Sequence, residues 1–369
     1  MALRACYSLR PKAMGFLPVP EWDNNPMLAK TNICDLTLDQ LTKWLMTHGE
    51  RSFHAGQIYR WIWQRQADNF DRMTDLSKSL RKQLSDDFHI GRLGLIKEEQ
   101  SKDQTRKFLF RLTDGHTIET VLIPGENHST LCISSQVGCA LGCRFCLTGR
   151  DGLIRNLSPC EILAQIRDVQ QLMAHPKRLK NIVFMGMGEP LANFDAVIAA
   201  LTTITDRHAG LAFARRRVTL STAGMAPSIK RFGNMADVNL AVSLNAPDNP
   251  TRDRLMPINN TYPIETVIAA CRGFPLRPGR RITIEYILIK GVNDSADHAR
   301  RLAKILHPIK TKVNLIPFNP FEGSPLERPD HQDILAFQKI LKEKHYRVLI
   351  RRSRGRDISA ACGQLRVKK

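Results

Sequence analysis

The sequence predicts an α/β protein built on a parallel sheet and preceded by a small helical domain. Three observations carry this. From residue 130 onward, short strand-like apolar runs recur between longer stretches of helical period, the pattern of strand–helix units. Between Leu36 and Ile90 the apolar residues instead fall at helical spacing throughout. A chain of 369 residues, 43% of them hydrophobic, is also long enough for one large core and a smaller one. On this pattern alone the sheet is either doubly wound or curved into a full or partial barrel.

In chain order, residues 1–33 contain Pro11, Pro18, Pro20 and Pro26 with little periodicity and read as an irregular tail. Residues 34–95 read as the helical domain, with Leu41 and Leu45, then Ile58, Trp61 and Ile62, then Leu76, Leu80 and Leu84 as its apolar stripes. Lys43, Arg51, Arg60, Arg65, Lys78, Arg81 and Lys82 give it a basic surface, either a solvated face or a contact for RNA. Residues 96–129 read as a linking hairpin, Lys107–Leu112 and Thr117–Ile123, turning at Asp114-Gly115. Residues 130–369 supply strands at Thr130–Ser134, Asn181–Met185, Arg217–Ser221, Asn239–Leu244, Ile282–Ile289, Lys312–Pro317 and Arg347–Arg351. The clearest helix is Ser158–Ala174. Ser158 caps it, Pro159 takes the first helical position and Glu161 completes a capping box. Ile162, Leu163, Ile166, Val169 and Leu172 make its buried stripe.

Composition narrows the function. Lys and Arg outnumber Asp and Glu by 55 to 35, a net charge of +20 with a pI near 9.9. A polyanionic partner accounts for that excess, as does a merely soluble basic surface. No run of 18 uncharged apolar residues occurs, which excludes a membrane-spanning helix. Pro and charge interrupt the N-terminus, which reads as a loose leader and not a secretion signal. The nine cysteines are an odd set, and four of them (Cys132, Cys139, Cys143 and Cys146) fall within fifteen residues. That is no secreted disulfide framework; a reducing cytoplasm with metal or thiol chemistry fits better.

Cys139, Cys143 and Cys146 have C-x3-C-x2-C spacing directly after the first strand of the strand–helix region. Thiolates suit zinc or iron–sulfur centres. A closed zinc site needs a fourth ligand, yet the nearest histidine, His128, lies upstream and no second C-x2-C pair follows. A 4Fe–4S cluster usually takes four cysteines, one per iron. Three leave one iron open to another ligand.

This loop resembles the signature of the radical S-adenosylmethionine (SAM) enzymes. Over nearly the whole chain the resemblance narrows to the RlmN/Cfr family of RNA adenosine methyltransferases. It is carried by Cys132-Ile-Ser-Ser-Gln-Val-Gly-Cys139, Met185-Gly-Met-Gly-Glu-Pro190, Val218-Thr-Leu-Ser-Thr222, Ala241-Val-Ser-Leu-Asn-Ala-Pro247, Asn314-Leu-Ile-Pro-Phe-Asn-Pro-Phe321 and Arg354-Gly-Arg-Asp-Ile-Ser-Ala-Ala-Cys362-Gly-Gln-Leu365. The resemblance implies a partial (β/α)6 radical SAM barrel and one 4Fe–4S cluster held by Cys139, Cys143, Cys146 and SAM. Two SAM are used per turnover. Gly188, Glu189, Ser221, Ser243, Leu244, Asn245 and Asn319 would bind SAM. The family commonly has His where Asn245 stands.

The resemblance also gives roles to two distant cysteines and a glutamate. Cys362 would carry a methyl group received from one SAM, and a radical derived from a second would activate it for addition to adenine. Cys132 would release the protein–RNA adduct by forming a disulfide with Cys362, and Glu119 would remove the proton. Taken alone, Glu119 reads as an exposed strand residue, and Cys160 and Cys271 as small buried hydrophobes. The implied substrates are 23S rRNA (adenosine 2503, at C2) and tRNA (adenosine 37). The implied enzyme is a cytoplasmic monomer served by an electron donor such as flavodoxin or ferredoxin. Methylation at C8 and a non-catalytic RNA-binding zinc protein are the competing readings. The charge fits the RNA reading: residues 342–369 hold ten Lys or Arg against two acidic residues and bracket Cys362. The target base must leave its stack to reach a buried cluster.

Overall fold

The fold follows from how the apolar runs alternate and in which direction each crossover turns. A computed structural model of the chain describes residues 30–366; most of the expected N-terminal tail, with Cys6, lies outside them. Three helices, α1 (Leu38–Thr47), α2 (His54–Trp63) and α3 (Lys78–Asp87), form the N-terminal unit. Leu41, Leu45, Ile58, Ile62, Leu76, Leu80 and Leu84 are all buried in it, as the helical period requires. Trp61 is only half-buried; its indole donates to Asp75 Oδ1 at 2.5 Å, and the Arg65 guanidinium lies 4.2 Å from its ring centre.

The rest is organised by one ten-stranded sheet. Its strands are β1 (Gly94–Gln100), β2 (Arg106–Arg111), β3 (Thr117–Pro124), β4 (Ser129–Cys132), β5 (Leu179–Phe184), β6 (Val218–Thr222), β7 (Asn239–Ser243), β8 (Ile282–Leu288), β9 (Thr311–Pro317) and β10 (Val348–Ile350). Spatial order equals chain order from β10 to β1. β4 to β10 are parallel, while β1 to β3 continue the sheet antiparallel from β4. That order decides between the two architectures. A doubly wound sheet reverses direction at a switch point. Here every crossover steps the same way, and because such crossovers are right-handed the helices all pack on one face and the sheet curls. The result is a partial (β/α)6 barrel with β10 as an additional short strand.

The sequence-derived strands of the barrel agree with the observed ones to within about two residues at each end. The expected hairpin is also present, but as part of a longer run. β1 precedes it, and β3 pairs with β4, so residues 94–124 extend the barrel sheet.

Between β4 and β5 lies α4 (Pro159–Gln171), capped by Ser158 with the capping box to Glu161 formed. Its stripe Ile162, Leu163, Ile166 and Val169 is buried, but Leu172 is 37% exposed, because the helix ends before it and it serves as the C-cap. The other crossover helices are α5 (Phe194–Thr205), α6 (Ala226–Met235), α7 (Ile264–Arg272), α8 (Ala296–Leu306) and α9 (His331–Glu343).

Strand residues on the outer face, Ile182, Leu220, Val242, Ile284 and Val313, are completely buried beneath these helices. Inner-face residues Val183, Ser221, Ser243 and Ile316 are only half-buried. Ala241, Thr283, Glu285 and Asn314 on the same face are buried, so the barrel interior is open in part.

Candidate active site

Strand register places the candidate residues on the inner face. Val121 of β3 lies opposite Cys132, and Cys132 opposite Val183 of β5. Ser243 of β7 lies opposite Glu285 of β8, which lies opposite Asn314 of β9. With a period of two, Glu119, Cys132, Ser221, Ser243, Glu285 and Asn314 share this face.

Cys132 and Cys362 are 230 positions apart in sequence. Both line one cavity of about 440 Å³ together with Cys146, Met185, Glu285, Asn319 and Arg351. Burial raises the thiol pKa of both. The neighbouring Cys362 adds to the rise at Cys132, and the Glu285 carboxylate adds to the rise at Cys362. Cys362 is exposed and lines this concavity. Both are free thiols, so the disulfide implied by the resemblance is not formed here.

The segment carrying Cys362 is tied down on three sides. Leu147 N donates to Gly363 O at 2.8 Å and Thr148 Oγ1 to Leu365 O at 2.6 Å, which joins the segment to the loop of the three cysteines. Asn319 Nδ2 donates to Cys362 O at 3.2 Å and Gln364 Nε2 to Pro320 O at 2.9 Å. Arg366 N donates to Glu119 Oε2 at 3.0 Å. Gly363 allows this approach. Its φ is +84°, and an added Cβ would stand 2.7 Å from Phe145 O. Gly363→Ala is therefore expected to displace Cys362 and lower methyl transfer at least tenfold, with the thermal midpoint of the barrel nearly unchanged. Parallel activity and melting measurements check this.

Cys139, Cys143 and Cys146 lie in the loop between residues 138 and 147. Burial pushes Cys139 up to about 12 and also raises Cys146. Burial raises Cys143 as well, with Cys146 and Cys139 adding to the shift. The thiols are thus close enough to repel one another as anions. Among the described residues, no three His, Cys, Asp or Glu side chains converge on a single metal ion. A polynuclear cluster needs the wider spacing, since each thiolate binds a different iron. Three soft ligands in one loop, with Cys146 on the cavity wall, fit such a cluster with one iron free.

The other candidates divide by what their side chains touch. Asn319 is buried, and its Oδ1 has no hydrogen-bond partner, an acceptor available to a ligand. Ser221 and Ser243 are half-buried on the inner face. Gly188 has φ +98°, and a Cβ there would meet the Gln136 side chain at 2.5 Å. Glu189 is differently engaged. Its Oε1 accepts from Leu191 N at 3.0 Å and its Oε2 from Ala223 N at 2.7 Å, bracing the loops after β5 and β6. Burial, opposed by these bonds, leaves its pKa at about 7. Leu244 is fully buried; its N donates to Glu285 O at 3.1 Å and its O accepts from Arg252 Nε at 3.1 Å. Asn245 has φ +59°, a conformation that Asn tolerates better than most residues. Its Oδ1 accepts from Ile287 N at 2.9 Å, which joins the loop after β7 to β8.

Glu119 departs from the exposed strand residue that its sequence alone suggests. It is 1% exposed, because β3 is covered on its inner side by the C-terminal segment and flanked by β2 and β4. The buried Lys107 ammonium pairs with it at 3.2 Å and also with Glu99 at 3.3 Å.

Sequence reasoning missed Lys107 and Arg252. Arg252 is wholly buried and donates to Leu244 O, Asn259 Oδ1, Tyr262 O and Ala223 O. The available signal was the N-cap Asp248 followed by Pro250, which announces a helix directly behind the cofactor-loop motif. The Arg215–Arg217 triplet forms an exposed turn before β6, at the strand end remote from Cys362.

The curled sheet and its three-cysteine loop define a radical SAM enzyme. Residues 133–303 match the model of the radical SAM superfamily, and residues 31–90 match the ribosomal RNA large subunit methyltransferase N-terminal domain. The chain is 54% identical to the dual-specificity RNA methyltransferase RlmN of Desulfosudis oleivorans, over 90% of each protein. It is 50% identical to the RlmN of Geobacter sulfurreducens, over 91% of this chain and 92% of that one. The crystal structure of a radical SAM methyltransferase from Sphaerobacter thermophilus superposes with a TM-score of 0.86 at 43% identity, covering 91% of this chain and 99% of that one. The chain belongs to the RlmN family of SAM-dependent RNA methyltransferases.

Proposed function

We propose that this protein methylates C2 of adenosine in 23S rRNA, at position 2503, and in tRNA, at position 37. The shared cavity of Cys132 and Cys362 carries this reading. Cys139, Cys143 and Cys146 would hold a 4Fe–4S cluster, which when bound would supply the electron for reductive cleavage of SAM. The backbone around Gly188 would hold SAM, with the polar groups of Ser221, Ser243 and Asn319, while Glu189, Leu244 and Asn245 keep the loops in position.

Cys362 sulfur takes a methyl group from one SAM by displacement and gives up its thiol proton. After one hydrogen atom is taken from the S-methyl group by the radical derived from the second SAM, the S-bound carbon adds to the adenine ring. The ring adduct then gives one electron back to the electron carrier and its ring proton to Glu119. The Cys132 thiolate attacks Cys362 sulfur, the carbon–sulfur bond breaks with its electron pair on carbon, and that carbon takes up a proton to become the methyl group, leaving a disulfide for an external thiol to reduce. Arg351, Arg352 and Arg354 at the cavity edge are suited to phosphate contact.

The working enzyme is read as a cytoplasmic monomer that takes electrons from flavodoxin or ferredoxin. Among the described residues no helix is long and apolar enough to cross a membrane.

Mass spectrometry of rRNA and tRNA nucleosides from deletion and complemented cells tests the assignment. Loss and restoration of 2-methyladenosine at both sites is the expected result. Restoration of 8-methyladenosine, or no change in either base, overturns it.

A further inference from the structure

One polar pair on the inner wall has no part in the chemistry above. Glu285 of β8 and Asn314 of β9 are register partners, and Asn314 Nδ2 donates to Glu285 Oε1 at 2.9 Å. They are 5% and 6% exposed, and Glu285 lines the cavity beside Cys362. Burial raises the carboxyl pKa, while Arg351 and Lys312 act on it only through their field. Asn314 Oδ1 is buried without a hydrogen-bond partner.

A buried carboxyl with a single side-chain hydrogen bond is costly for a fold to retain. On the cavity wall Val121, Val183, Ile316 and Leu349 offer Glu285 no donor, and Arg351 acts on it only through its field. Asn314 is not on that wall and holds Glu285 from behind. What Glu285 lacks is a second donor, and whatever fills the cavity can supply it.

We propose that Glu285, held by Asn314, reads the exocyclic amine of the target adenine. That amine can donate an N–H bond to the carboxyl oxygen that Asn314 leaves free. Guanine at the same place would present its O6 acceptor to an acceptor wall and be repelled, so the pair selects among purines by exclusion as well as attraction. SAM also carries an adenine amine. Proximity to Cys362, where the methyl group is transferred, favours the RNA base. The inference rests on the proposed function, since it takes an RNA adenosine as substrate.

The test uses the reconstituted holoenzyme and short RNA hairpins with either adenosine or purine riboside, which lacks the amine, at the target position. Wild type should bind and methylate the adenosine hairpin about tenfold better or more, the scale of losing a hydrogen bond to a buried polar group. In Glu285→Gln, an isosteric change, that preference should fall below about threefold. Asn314→Ser should reduce it similarly. Comparing the preference between variants cancels the intrinsic reactivity of the two bases.

S-methylation of Cys362, read by peptide mass spectrometry, should persist in both variants and reports that the site is folded. An unchanged preference in folded Glu285→Gln overturns the inference. So does weakened SAM binding with the RNA preference intact, which would assign the pair to the cofactor. A wild-type enzyme that methylates neither hairpin nor native RNA fails the proposed function itself and is distinguishable from both.

Discussion

Protein with Cys132→Ala is expected to leave the cell with RNA covalently attached through Cys362. Cys132 ends β4 and lines the same cavity as Cys362, close enough for one thiol to raise the other's pKa. Without its sulfur nothing in that cavity is placed to displace the carbon from Cys362, so a cycle would stop at the adduct. The substitution removes one atom from a site 8% exposed, a loss on the order of 1 kcal/mol that the barrel can absorb. Denaturing electrophoresis with and without nuclease detects the adduct, and peptide mass spectrometry locates it. RNA-free protein with normal turnover would remove Cys132 from the mechanism.

Arg252→Met should have the largest effect on stability of any single change near the site. The guanidinium is fully buried, and its pKa falls to about 10 because burial disfavours its charge. It nevertheless satisfies Ala223 O at 2.6 Å, Asn259 Oδ1 at 2.7 Å, and Leu244 O and Tyr262 O each at 3.1 Å. Methionine leaves all four acceptors dry. Recovered desolvation of the charge offsets part of that loss, and a net destabilisation of about 3 kcal/mol is expected. Lysine should not rescue it, since an ammonium cannot reproduce the forked donor geometry. Because Ala223 and Leu244 belong to the loops after β6 and β7, SAM affinity should fall as well. Urea unfolding and SAM titration check the two effects separately. An unchanged urea midpoint would contradict the bracing role.

The barrel was legible because its outer-face residues, such as Ile182, Leu220 and Val242, repeat with a strand's period and are completely buried. The direction of curl was not, since a strand–helix alternation has the same text whether or not the crossovers reverse. β1 left no signal for a different reason. Its sequence, Gly-Leu-Ile-Lys-Glu-Glu-Gln, lacks alternation, and Leu95 and Ile96 are both over 40% exposed. At the site, cysteine spacing and strand-end motifs nominated candidate residues, but not what they touch. Glu189 and Asn245 turned out to be occupied with neighbouring backbone, and Glu119 to be buried against Lys107. Such facts depend on contacts between distant segments. The link from Arg366 to Glu119 spans 247 positions, and no local pattern encodes it.

The fully buried outer face and the partly open inner face also divide the sheet's tolerance of mutation. Along β5 to β9, substitutions at outward positions would lower cellular abundance, because each removes packing beneath a helix. Substitutions at the half-buried inward positions, Val183, Ser221, Ser243 and Ile316, would leave abundance high and erase function. A scan of variants scored for both should therefore show the two penalties alternating residue by residue, out of phase, with the catalytic face identifiable by its harmlessness to folding.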